Sequence, residues 1–192
     1  MRIMRLRGKK LGIVGFGRIG RSVCRKALAF GLEVLAFDPF LPTNAASQHG
    51  ARMVELSELL NVADFITLHS PLTPETTSMI GEAELRQMKT ETFLINAARG
   101  PLIDENALYN ALTSGQIAGA GLDVLVDLNP PQNHRLIQLP NVIITPHTAF
   151  FSQEAVLELE KRAANELVRV FQGQMPDNLV NSAVLTHSRI KL

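Results

Sequence analysis

Gly15-Phe16-Gly17-Arg18-Ile19-Gly20 has the G-x-G-x-x-G spacing that cradles a pyrophosphate when a strand precedes it and a helix starts inside it. Each glycine has its own reason. Gly15 allows the tight turn, Gly17 lets backbone approach the phosphates, and Gly20 lets the helix lie close to the strand. Free amides at the helix start would face the anion. A glycine-rich turn without a ligand is the plain alternative, and the surrounding pattern weighs against it. Asp38 stands 18 residues past Gly20. A carboxylate there accepts hydrogen bonds from a ribose diol and repels a 2′-phosphate, which favours NAD over NADP. A turn between Asp38 and Pro39 is compatible with that role.

Three further side chains could do chemistry. Arg99, in INAARG, can hold a carboxylate through two parallel bonds, unless it is simply an exposed loop arginine. His147, in ITPHTAF, is the best proton donor or acceptor of the five histidines. Asp123, in GLDV, either faces the nicotinamide side of a cofactor or terminates its strand. His69 lines the cofactor site or is a packed strand-end histidine, and His49, His134 and His187 read as solvated. The lone cysteine, Cys24, falls on a buried helix face as a structural thiol.

The elements that must position these residues alternate. Apolar strands are expected at 11–15, 34–37, 64–68, 92–95, 118–124 and 142–145. Helical spacing runs over 18–30, 56–62, 82–88 and 104–113. Short, continuously apolar strands between helices predict an α/β fold, a doubly wound parallel sheet of six strands covered on both faces. Gly17, Asp38, Arg99, Asp123 and His147 then lie at five strand ends on one edge, where open sheets of this kind bind ligands. The dinucleotide-binding domain is expected over residues 1–150. In residues 151–192, Ser152 caps a long helix with Val156, Leu159, Ala163, Leu167 and Val170 on one face, Gly173 ends it, and an irregular arm follows. That segment is too small for a second domain by itself.

Composition narrows the function. The 192 residues are 46% hydrophobic and carry a net charge of +1, too balanced for a nucleic-acid partner. Arg2, Arg5, Arg7, Lys9 and Lys10 read as a solvated tail leading into a strand. No apolar run reaches the roughly 18 residues of a membrane span. A single cysteine allows no internal disulfide and fits a reducing cytoplasm. No metal site is expected.

RLRGKKLGIVGFGRIGR, ADFITLHSPLTPETTSMI, INAARGPLIDENAL, GAGLDV and NVIITPHTAF occur in the order in which the D-2-hydroxyacid dehydrogenase family carries such stretches, and from about Arg5 to Asn181 the chain resembles that family. The resemblance implies a Rossmann domain binding NAD, with Gly15, Gly17, Arg18, Ile19, Gly20, Asp38, Ser70, Ala97, Arg99, Asp123 and His147 at the cofactor. It implies that Arg99 orients the carboxylate of a 2-oxo or 2-hydroxy acid. It also implies that His147 is the acid/base, and that the domains pair as a homodimer. PHTAFFS looks most like the corepressor-related branch.

Two departures matter. The family carries a glutamate five residues beyond the Asp123 position, where it steadies the histidine. Leu128 stands there; the adjacent Asp127 substitutes if the loop shifts by one residue, and otherwise Leu128 simply packs, His147 has no carboxylate partner of the usual kind, and catalysis is impaired or absent. The family also carries a segment ahead of this sequence that forms most of a substrate lobe. The chain is therefore expected to be an excised domain, a truncated product or a chain completed by a separate polypeptide. An NAD-dependent oxidoreductase is the leading reading, and a non-catalytic NAD-binding module acting through protein contacts is the alternative. A methyltransferase on the same fold has no use for INAARG or TPHTAF.

Overall fold

The computed structural model describes residues 5–186, so Arg2 and His187 lie outside the described residues. Two compact units are present, Met1–Ala149 and Phe150–Leu192. Among the described residues of the first, seven strands run parallel: β1 (Lys10–Val14), β2 (Glu33–Phe37), β3 (Arg52–Met53), β4 (Phe65–Leu68), β5 (Phe93–Asn96), β6 (Gly119–Leu122) and β7 (Val142–Ile144). Their order is β3-β2-β1-β4-β5-β6-β7. The sheet is therefore doubly wound, and the chain reverses direction across it between β1 and β4. The expectation of six strands is corrected to seven. β3 holds two residues and pairs with β2 only at Leu35↔Arg52 and Ala36↔Met53, too short to show an alternation.

Helices α1 (Arg18–Ala29), α2 (Leu56–Val62), α3 (Glu82–Gln87) and α4 (Glu105–Thr113) cover the sheet. Successive strand side chains point to opposite faces. Leu11, Ile13, Val34 and Ala36 pack with Cys24 and Ala27 of α1, while Val14, Leu35, Ile66 and Leu94 pack with Leu59, Leu85 and Leu108 of the other helices. Both faces of the sheet are dry, which is why its strands are apolar throughout. α1 buries only Gly20, Cys24 and Ala27, small residues on one stripe, and so lies close to β1. The Asp104 side chain caps α4 by accepting the amides of Asn106 (2.8 Å) and Ala107 (3.1 Å).

Two surface expectations are corrected. Lys9 pairs with Asp64 at 3.6 Å, and Asp64 also accepts the Lys10 amide and Lys89 Nζ. The end of the basic stretch is therefore tied to the start of β4 rather than left in solvent. His134 is largely enclosed, with Nε2 3.6 Å from Glu105 Oε2.

In the second unit Ser152 Oγ accepts the Ala155 amide at the start of α5 (Gln153–Phe171). No residue of α5 is fully buried, and Leu159 and Leu167 are exposed. The arm turns at Gly173 (φ +71°) and returns along the helix, where Glu166 accepts the Asp177 amide and the Asn178 side chain. Among the described residues no helix is long and apolar enough to cross a membrane.

Candidate active site and cofactor edge

Because the sheet is parallel, the loops leaving β1, β2, β4, β5, β6 and β7 all emerge at one edge. These loops carry the residues singled out from sequence.

Gly15 turns the chain out of β1 at φ +92°. A Cβ there would sit 2.7–2.9 Å from backbone atoms of His69 and Ser70, so only glycine fits. A Cβ on Gly20 would collide with the Gly15 carbonyl, whereas one on Gly17 would meet nothing within 4 Å. The three glycines therefore serve three purposes: Gly15 the turn, Gly20 close packing, and Gly17 a surface left open. No side chain caps α1 at Gly17, which leaves first-turn amides for an anion. Arg18 and Ile19 are exposed on that turn, while Phe16 is fully buried.

Asp38 follows β2 and ties this turn down. Its Oδ2 accepts the Phe16 amide at 2.9 Å, and its Oδ1 accepts the Phe40 amide at 3.0 Å. Each carboxylate oxygen has a second acceptor position for a ribose diol. Ser70, after β4, reaches back to Val14 O at 3.4 Å. His69 sits 3.1 Å from Thr67 Oγ1, and burial pushes its imidazole pKa down. It is thus a packed, neutral-leaning ring.

After β5, Asn96 organises the turn that carries Ala97 and Arg99. This residue, 1% exposed, accepts the Ala98 amide at 3.0 Å and donates to Arg99 O at 2.9 Å. Its own carbonyl accepts the Asp123 amide from the next loop. Ala97 and Arg99 remain exposed, with Arg99 Nη1 on Ala98 O at 2.6 Å. Sequence reasoning missed Asn96. The signal was a polar residue inside the otherwise apolar run FLIN.

Asp123 is where the structure is most specific. It is 6% exposed, and its carboxylate accepts Thr145 Oγ1 (2.5 Å), the Thr148 amide (2.8 Å) and the Ala149 amide (2.9 Å). Its carbonyl accepts the His147 amide at 2.9 Å. Both polar groups of Asp123 thus hold the turn that carries His147. Burial pushes the carboxyl pKa up, but the three hydrogen bonds and the nearby His147 charge together hold it below the ordinary value. His147 has φ +55°, a conformation that a non-glycine residue keeps only when its surroundings enforce it. The anchors of Asp123 supply that enforcement.

His147, Asp127 and Leu128 line one cavity of about 380 Å³ with Asp123, Thr145 and Pro146. Leu128 is 65% exposed, so it does not pack into the core. Arg99 lies on the adjacent turn outside this cavity. Its neighbour Gly100 lies so close beneath Leu125 that a Cβ would collide with the Leu125 carbonyl. Among the described residues no group of His, Cys, Asp and Glu could hold a metal ion.

The family model described as D-isomer specific 2-hydroxyacid dehydrogenase, NAD binding domain, matches residues 1–149. The chain belongs to this family. Within it, the chain is 45% identical to a glyoxylate reductase of Thermococcus litoralis, over 95% of this chain and 55% of that protein. It is 43% identical to a D-3-phosphoglycerate dehydrogenase of Methanocaldococcus jannaschii, over 92% of this chain and 34% of that protein. The structure of D-lactate dehydrogenase with NAD+ from Lactobacillus jensenii superposes with a TM-score of 0.85 at 32% identity, covering 93% of this chain and 57% of that one. The chain spans about half the length of such relatives or less. As a family NAD-binding domain it has the parts the cofactor needs, because the open Gly17 turn, the uncapped α1 and Asp38 suit a pyrophosphate and an unphosphorylated ribose.

Proposed function

We propose that this chain carries the cofactor half of an NAD-dependent oxidoreductase that interconverts a small 2-oxo acid and the D-2-hydroxy acid. The observation that supports this best is the Asp123 anchor, which holds His147 in a left-handed backbone conformation beside the cavity. Gly15, Gly17, Gly20, Arg18 and Ile19 hold the pyrophosphate, and Asp38 takes the ribose diol. Ser70 and Ala97 border the cofactor, and Asp123 borders it through the turn it organises. When bound, NADH supplies the hydride that reaches carbon 2 of the 2-oxo acid. Arg99 orients the substrate carboxylate through paired bonds, and His147 delivers a proton to the carbonyl oxygen, taking it back in the reverse direction. Asp127, which lines the same cavity as His147, stands as the carboxylate in place of the usual glutamate, since Leu128 carries none.

The relatives' names, glyoxylate reductase and D-3-phosphoglycerate dehydrogenase, support small 2-oxo acids as the class and weigh against a non-catalytic module. The protein acts as a cytoplasmic homodimer, and sequence beyond these 192 residues, on the same polypeptide or a separate chain, sets substrate choice. Steady-state NADH oxidation with a panel of 2-oxo acids tests the reading. Turnover that disappears in His147→Asn while NADH binding persists supports it, and turnover unchanged in that variant refutes the role of His147.

A further inference from the structure

Arg18, Arg21 and Arg25 stand three and four residues apart on α1, so they share one face of the helix, away from the buried stripe of Gly20, Cys24 and Ala27. The short helical turn Ser47–His49 packs alongside. Together they enclose a pocket of about 600 Å³, lined by the three arginines, Ser22, Gln48 and His49. A pocket of this size is usual for a small-molecule site. We propose that it is a second anion site, flanking the phosphate turn, that takes a phosphate group, either as the free ion or as the phosphate of a small ester.

The lining is rich in donors. A guanidinium donates hydrogen bonds and never accepts them. Among the described residues no carboxylate comes within ion-pair distance of Arg18, Arg21 or Arg25, whereas Arg52, Arg86, Arg162 and Arg169 each have one. Ser22 Oγ accepts from Lys26 Nζ at 2.8 Å, which leaves its own proton to give. The walls are also held in place. Arg21 Nε donates to Phe16 O at 3.0 Å, and its guanidinium lies 5.9 Å from the centre of the fully buried Phe16 ring. Its two terminal nitrogens donate to no partner among the described residues. Across the pocket, Cys24 Sγ donates to His49 O at 3.4 Å, and the His49 ring meets the Phe16 ring edge-on at 5.7 Å. Fixed guanidinium forks without a carboxylate among them match the paired oxygens of a phosphate. Arg25 lies two helical turns, about 10 Å, along α1 from Arg18, so the pocket extends past the turn that faces the cofactor.

The test is an NMR titration of the 192-residue chain, saturated with NADH, against inorganic phosphate, AMP and adenosine. The arginine Nε–H signals are followed, with that of Arg25 assigned by its loss in Arg25→Gln. Phosphate and AMP should shift the Arg21 and Arg25 signals with half-saturation at or below about 10 mM, and adenosine should not. Equal affinity for phosphate and AMP identifies the free ion as sufficient, and tighter binding of AMP identifies an ester; both support the site. Arg25→Gln should weaken phosphate binding about threefold or more, the scale of an exposed charge contact, and leave NADH affinity unchanged. Shifts that vanish once NADH is bound would assign the anion to the cofactor turn and overturn the proposal. So would the absence of saturable shifts, an adenosine response equal to that of AMP, or phosphate binding unaltered in Arg25→Gln. A chain that binds no NADH refutes the cofactor reading instead, and the comparison of wild type with Arg25→Gln in phosphate alone still decides this one. Well-dispersed spectra show that the variant folds.

Discussion

Asp123→Asn isolates the anchor under His147. The carboxylate accepts three hydrogen bonds at two oxygens, two on Oδ1 and one on Oδ2. An asparagine has one acceptor oxygen. With that oxygen in the Oδ1 position, the amide nitrogen faces the Ala149 N–H, so one bond is lost and two donors oppose each other. The reverse flip is worse, because it loses the Thr148 amide bond and forces the Thr145 hydroxyl to turn. Losing one hydrogen bond to a buried charged acceptor costs about 1.5–3 kcal/mol. In a folding unit of this size about 2 kcal/mol lowers Tm by roughly 4–8 °C. The pH dependence has a fixed sign. The folded-state pKa of Asp123 is depressed, so its contribution is complete above the unfolded value, near 3.9, and is lost as pH falls through the folded value. Calorimetric melting of wild type and Asp123→Asn should therefore show a gap at neutral pH that narrows as pH falls below about 4. Equal melting temperatures at pH 7, or a gap undiminished in strong acid, would refute the anchor.

The glycines of the phosphate turn separate by purpose. Gly17→Ala should melt within about 2 °C of wild type yet weaken NADH binding about tenfold or more, read by calorimetric titration. Gly20→Ala should cost about 1–3 kcal/mol in stability, since its methyl group meets the Gly15 carbonyl. Asp38→Ala should narrow the preference for NADH over NADPH, measured as the ratio of the two dissociation constants, and an unchanged ratio would argue against its ribose role. Cys24 is fully buried, its thiol pKa pushed up by burial, so labelling by a thiol reagent should proceed only at the rate of unfolding.

The parts of this protein legible from sequence are those set by local chemistry. The apolar strand runs and the glycine hexapeptide report backbone requirements that few other residues meet, and they placed the reactive residues on one sheet edge. β3 was hidden because two residues carry no period. Glu105 was hidden for another reason, since its partners lie in a loop that only the folded sheet brings near, whereas the Asn96 side chain bonds within its own turn, to Ala98 and Arg99. Val126 is 21 positions from Glu105, a pairing that no spacing rule encodes. His134 looked solvated for the same reason. Asp123 was legible as a polar strand end, but not as the anchor of a turn more than 20 residues later, because its partners are mostly backbone amides without a sequence signature.

The most direct test of the central claim, that the carboxyl edge of this sheet is an NAD site, is calorimetric titration of the 192-residue chain with NADH and with NADPH. NADH should bind at one site per chain and NADPH at least about tenfold more weakly, because Asp38 repels a 2′-phosphate. Absence of NADH binding, or equal affinity for the two, would contradict the account.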